Sequence, residues 1–166
     1  MPASTTFEIR PARPGDVAVV HAMIRELAEF ERLAHLCVAS EADLAAALFG
    51  PRPAAEVLIA CRDGEAAGFA LFFHNFSTFL GRRGLWLEDL FVRPAHRRKG
   101  CAQALLTTLA DLARERGCGR FEWAVLDWNA PAIDFYRSLG ATVLPDWRIV
   151  RVVGPALDHL AGKAGK

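Results

Sequence analysis

The run Leu87-Glu88-Asp89-Leu90-Phe91-Val92-Arg93-Pro94-Ala95-His96-Arg97-Arg98-Lys99-Gly100-Cys101-Ala102 reads as an apolar strand that breaks at a proline turn and resumes as a helix. Two adjacent carboxylates interrupt the strand, and three successive cations precede the glycine at which the helix opens. A strand delivering a helix start fixes a β-turn-α unit. The unpaired N–H groups and partial positive charge of that helix start suit a phosphate. Gly100 has no Cβ and lets backbone and phosphate approach closely, Ala102 keeps the first turn uncluttered, and Arg97, Arg98 and Lys99 offer charge-assisted contacts. The acids just upstream place charged chemistry beside that cofactor site.

The 166 residues fit one domain, 1–166, with 162–166 read as a frayed tail. A net charge of +1 provides no global field for nucleic acid or anionic membrane, so any positive site is local. Cys37, Cys61, Cys101 and Cys118 lack CxxC or zinc spacing, so they read as reduced, buried thiols and no metal site is expected. Met1-Pro2-Ala3-Ser4 lacks the features of a signal peptide, and no apolar run approaches the ~20 residues of a membrane span. The expectation is a cytoplasmic protein without membrane or nucleic-acid partners. GxxxxGK[ST] and GxGxxG are both absent, which disfavours ATP hydrolysis and dinucleotide binding.

Strands are expected at Phe7–Arg10, Val57–Cys61, Ala67–His74, Leu85–Val92 and Phe121–Leu126, and a final antiparallel pair at Ala141–Leu144 and Trp147–Val153. The turn at Arg62-Asp63-Gly64-Glu65 carries the Asp-Gly hairpin signal. Pro14-Gly15-Asp16 caps a helix with the stripe Val17, Val20, Ile24, Leu27 and Ala28. Further helices are expected at Glu41–Phe49, from Ala102 to a stop at Gly117, and at Pro131–Leu139. The order βααβββαβαββ gives a mixed sheet with helices on both faces.

The motif Arg97-x-x-Gly100-x-Ala102 after this strand resembles that of the GNAT acetyltransferase superfamily, and the element order extends the resemblance over nearly the whole chain. Glu26–Glu31, Leu87–Val92, Ala124–Asn129 and Phe135–Ala141 are most similar to the diamine acetyltransferase group (spermidine/spermine and thialysine N-acetyltransferases). The resemblance implies a mostly antiparallel, strongly twisted α/β sheet, acetyl-CoA as cofactor, a homodimer, and direct attack on acetyl-CoA by a small primary amine: a thialysine-like amino acid, a diamine or a polyamine. It assigns cofactor contacts to Leu90, Phe91 and Val92, to Arg97, Arg98, Lys99, Gly100, Cys101, Ala102 and Gln103, and to Asn129, Ala130, Pro131, Ala132 and Tyr136. Phe30, Glu31, Glu88, Glu122, Trp123 and Ala124 fall at substrate positions. Phe30 stands where the group often has Tyr, Arg98-Lys99 replaces a Gly-containing pair, and the turn Leu144-Pro145-Asp146-Trp147 is shorter than the group's acidic loop.

By the same resemblance Glu88 is the base, acting directly or through water, and Tyr136, the only tyrosine, protonates the departing thiolate. Strand alternation sends Glu88 and Asp89 to opposite faces unless a bulge intervenes. The superfamily is expected to carry such a bulge here, and Asp89 reads as structural. No motif points to His21, His74 or His96 as a base. A peptide N-terminus or an aminoglycoside as acceptor, and a non-catalytic acyl-CoA-binding module, remain as alternatives.

Overall fold

The structure is a computed structural model that describes residues 6–162. The segments read as a leaderless start (1–4) and as a frayed tail (163–166) lie outside the described residues. The chain forms two compact units, Met1–Ala124 and Val125–Lys166.

In the first unit, β1 (Glu8–Pro11) precedes α1 (Val17–Phe30) and α2 (Glu41–Phe49). β2 (Glu56–Arg62), β3 (Glu65–Ser77) and β4 (Arg82–Val92) follow, then α3 (Cys101–Glu115) and β5 (Arg120–Trp123). The five strands lie in the order β1-β2-β3-β4-β5. All neighbours are antiparallel except β4 and β5, whose parallel pairing is what a helical crossover through α3 permits. The hairpin falls where Asp-Gly predicts it: Asp63 (φ 53°) and Gly64 (φ 82°) both take the left-handed conformation of a type I′ turn.

Each sheet face carries its own helices. On one, Val20, Met23 and Leu27 of α1 and Leu44 and Leu48 of α2 pack on Val57, Ile59, Phe69 and Phe91. On the other lies α3, with Leu105 and Leu109 fully buried and Arg116, just past its end, stacked 5.9 Å from the Phe72 ring. Burying each such aliphatic or aromatic side chain stabilises the fold by about 1.5–3 kcal/mol. Ser40 closes α2 with a capping box, accepting from the Asp43 N–H while the Asp43 carboxylate accepts from the Ser40 N–H. Asp16 occupies the cap position of α1 without capping it. Its carboxylate is taken by Arg10 at 2.7 and 2.9 Å and by the Arg13 N–H at 2.7 Å.

One irregularity in β4 reorganises both faces. Phe72 pairs with Leu87 and Leu71 pairs with Asp89, so Glu88 is an extra residue with no partner on β3. This is a β-bulge, and it reverses the side-chain alternation. Leu87 lies opposite Phe72, on the α3 face. Two positions further on, Asp89 lies opposite Leu71, which packs into the α1 core. Glu88 accepts a hydrogen bond at 2.9 Å from the indole of Trp86, a residue that alternation also places on the α1 face. Both carboxylates therefore share one face.

The second unit holds α4 (Ala130–Ser138) and α5 (Pro155–Leu160). The final strand pair expected at Ala141–Leu144 and Trp147–Val153 is absent among the described residues, and β5 stops at Trp123 rather than Leu126. β-branched and aromatic residues favour a pleated surface only when a neighbouring strand supplies the ladder, and a lone hairpin is marginal in water. Without one, Trp147, Ile149, Val150 and Val153 stand exposed. The short α5 opens at Gly154-Pro155, a helix start the hydrophobic pattern did not mark. No described helix is long and apolar enough to cross a membrane.

Candidate active site

The pairing of β4 with β5 runs from Gly84 to Leu87 and ends there, at the bulge. Beyond it, β3 covers one edge of Leu90–Val92, and among the described residues no strand ladder covers the other. The Phe91 side chain is sunk in the α1 core, so this stretch presents its backbone. An unladdered backbone edge is what an amide-bearing pantetheine arm requires.

The turn that follows is shaped by two left-handed residues, Arg98 (φ 58°) and Gly100 (φ 86°). Gly100 is the cap residue of α3, and no side chain caps that helix start. The first-turn amides of α3 are thus left to an outside acceptor. A Cβ at Gly100 would meet nothing within 4 Å, but the positive φ favours glycine. Cys101 is buried, which pushes its thiol up to about 11, so it stays neutral and offers the turn only its N–H.

The three cations do not act alike. Arg97 folds back, donating from Nε to the Val92 carbonyl at 2.9 Å, with its guanidinium 4.9 Å from the Phe30 ring and 5.7 Å from the Phe91 ring. Arg97 thereby bridges β4 to the end of α1. Lys99 donates to the Ala95 carbonyl at 2.8 Å. Arg98 makes no such contact among the described residues and is exposed. Sequence spacing could not reveal the Arg97–Phe30 contact, because it joins residues far apart in the chain.

A third carboxylate, Glu31 at the end of α1, is near enough to Asp89 to act on it electrostatically. Burial and the charges of Glu88 and Glu31 push Asp89 up to about 6. Burial also raises Glu31. None of the three forms an ion pair among the described residues. Arg93 grips Glu26 of α1 through Nε and Nη2 and the Ala66 carbonyl through Nη1, tying α1 to the end of β4. Glu122, expected at the substrate, is paired with Arg120 at 2.6 Å, and Trp123 and Ala124 follow it at the end of the unit. No three His, Cys, Asp or Glu side chains converge as metal ligands among the described residues.

Asp89 is the group that sequence reasoning undervalued. The signal that could have found it is the bulge, because one extra residue moves Asp89 onto the face of Glu31. The histidines serve structure: His21 bonds the Ala39 carbonyl at 2.8 Å, His74 lies between the Gly84 carbonyl and Arg116, and His96 sits edge-on to Phe7. All four cysteines are free, but only Cys61 and Cys101 are buried; Cys37 and Cys118 are half-exposed.

In the second unit, Asn129 caps α4 by accepting the Ala132 N–H at 3.4 Å, and Pro131 stands in the first turn. Tyr136 lies on this helix, its ring 5.6 Å from that of Phe135.

The fourth strand parts from the fifth beside an uncapped helix start, and this mixed sheet can be compared with known proteins. The profile of the acetyltransferase (GNAT) family matches residues 21–141, and the chain belongs to that family and is an N-acetyltransferase. It is 39% identical to the thialysine N-epsilon-acetyltransferase of Sus scrofa, covering 93% of this chain and 97% of that protein. It is 37% identical to the L-ornithine N5-acetyltransferase of Arabidopsis thaliana, over 92% of this chain and 86% of that one. Among solved structures, an integron cassette protein from the mobile metagenome of V. cholerae superposes with a TM-score of 0.79 at 27% identity, covering 93% and 97% of the two chains.

Proposed function

We propose that this protein transfers the acetyl group of acetyl-CoA to a primary amine of a small, positively charged acceptor, by direct attack in a ternary complex. The acceptors are amino acids of the thialysine and ornithine kind and short di- or polyamines. One observation carries the reading: Glu88 and Glu31 both act electrostatically on Asp89, and among the described residues none of the three acids has an ion-pair partner, beside a backbone edge and a helix start fit for the cofactor. Such a group of acids costs stability unless a cation arrives. An alkyl diamine or basic amino acid brings that charge. The names of the similar proteins support the same acceptor class.

The residues fit acetyl-CoA in two places. Leu90, Phe91 and Val92 offer the unladdered edge, and the amides of Gly100, Cys101, Ala102 and Gln103 offer donors to a pyrophosphate, with Arg98 beside them. The family resemblance adds Asn129, Ala130, Pro131 and Ala132, at the start of α4, as cofactor contacts. When bound, the cofactor supplies an acetyl thioester, an electrophilic carbonyl on a thiol leaving group. Glu31 and Glu88 hold the ammonium, Phe30 walls the pocket, and a carboxylate takes the amine proton. Tyr136 delivers a proton from its hydroxyl to the departing sulfur.

The family profile crosses the boundary between the units, which supports one functional domain over 1–166. The exposed apolar residues between 141 and 153 support a homodimer, and four free thiols fit the cytoplasm. Thiol release from acetyl-CoA across a panel of L-ornithine, thialysine, diamines, peptide N-termini and an aminoglycoside tests the reading. Small basic amines should release thiol fastest. Stabilisation by CoA with no release from any amine would make the protein a binding module instead.

A further inference from the structure

We propose that Asp89, rather than Glu88, accepts the proton of the substrate ammonium, while Glu88 and Glu31 hold the charge around it. This rests on the amine-acetyltransferase reading above. The bulge does the placing: with Glu88 left out of the ladder, Asp89 moves from the α3 face to the α1 face, opposite Leu71. The three acids then differ in what surrounds them. Glu88 is exposed and already accepts the Trp86 indole N–H. Glu31 stands at a helix end. Asp89 is half-buried on a strand, with a short side chain, and receives no hydrogen bond and no ion pair among the described residues.

Two charges act on Asp89, those of Glu88 and Glu31. Glu88 lies on its own strand and Glu31 on α1, both unpaired with cations. Glu26 of α1 is neutralised by Arg93, Glu122 of β5 by Arg120, and Arg97 is held at the Val92 carbonyl between two rings. Asp89 thus faces net negative charge in a half-dry site. That raises its proton affinity to about 6, where an ordinary Asp sits at 3.8. Each unit is a factor of ten, so Asp89 is about 100-fold better matched than an ordinary Asp to an alkyl ammonium near 10.4. In the step, an ammonium N–H bond breaks and its electron pair stays on nitrogen as the attacking lone pair. The proton bonds to an Asp89 carboxylate oxygen and passes to water afterwards.

The test is kcat/KM against pH, read by thiol release with L-ornithine and thialysine, for the wild type, Asp89→Asn and Glu88→Gln. The wild type should lose activity tenfold per unit below about pH 6, as Asp89 protonates. Asp89→Asn should lower kcat about 10²–10³-fold and abolish that limb, while keeping the CoA-induced rise in melting temperature. Glu88→Gln should raise KM and keep the limb, moved to lower pH because a neighbouring charge is gone. A limb that survives in Asp89→Asn and vanishes in Glu88→Gln overturns the proposal. Should Asp89→Asn fail to fold, carboxyl-carbon NMR titration of the wild type decides: a midpoint near 6 supports it, one near 4 refutes it. Absence of thiol release from any amine in the wild type removes the acetyltransferase reading itself, and the proposal with it.

Discussion

Two sets of carboxylates in the first unit have opposite fates. Asp16, Glu26 and Glu56 each meet an arginine through paired hydrogen bonds: Arg10, Arg93 and Arg116. Among the described residues, Glu31, Glu88 and Asp89 form no ion pair. The titration directions follow. The Arg10 guanidinium pulls Asp16 down to about 2 and Arg116 lowers Glu56, whereas burial and like charge push Asp89 up to about 6. The first set fastens elements together, β1 to the turn before α1 and α1 to the end of β4. The second weakens the folded state, a cost that the proposed cationic acceptor would offset on binding.

Several substitutions sharpen that contrast. The largest effect belongs to proton delivery. Tyr136→Phe should cut kcat about 10²-fold or more while leaving CoA affinity and the amine KM nearly unchanged, which steady-state kinetics and CoA titration will separate. A change in amine KM alone would place Tyr136 with the charge-holding set. Next comes Glu31→Gln, which should raise the KM for dicationic amines about tenfold, with a smaller change in kcat. An unaltered KM for every accepted amine would remove Glu31 from the site.

Stability changes are smaller and should be opposite in sign between the sets. Asp89 has a raised folded-state pKa, so its protonated form favours folding. That advantage is complete below about 4 and disappears as pH rises through about 6. At pH 7, Asp89→Asn should therefore stabilise the ligand-free protein, by about 1–3 kcal/mol in denaturant unfolding. Asp16 has a depressed pKa, so its contribution is present above about 4 and is lost as pH falls through about 2. The pair is screened by solvent, and Asp16→Asn should cost about 1 kcal/mol at pH 7 and almost nothing at pH 2. Two losses of equal size at pH 7 would erase the distinction.

The local parts of this architecture were legible because local chemistry determines them. Asp63-Gly64 could only make a tight turn, Gly100 sits where a left-handed residue must open α3, and the stripes of α1 and α3 follow helical spacing. What depended on a partner was not legible. The bulge at Glu88 is a mismatch of register between β4 and β3, invisible in either strand alone; only the family resemblance suggested it. With the alternation reversed there, Asp89 changed from a structural residue to the most perturbed acid of the site. Arg97, a candidate phosphate ligand by its spacing, also lies against the rings of Phe30 and Phe91, contacts that spacing could not show. The apolar alternation of Trp147–Val153 resembled a strand and formed none, since alternation describes a face and not its partner. Asn129, read only as a cofactor contact, caps α4 with its side chain, a role the sequence reading did not assign.

The most direct measurement follows the carboxyl-carbon NMR signals of the wild type at pH 7 as L-ornithine is added in the presence of CoA. The signals of Glu31, Glu88 and Asp89 should move together and saturably, while those of Asp16, Glu26 and Glu56 stay in place. Saturable movement of the arginine-paired set alone, or no movement of the unpaired set while the amine is turned over, would contradict the claim that these three acids receive the substrate's charge.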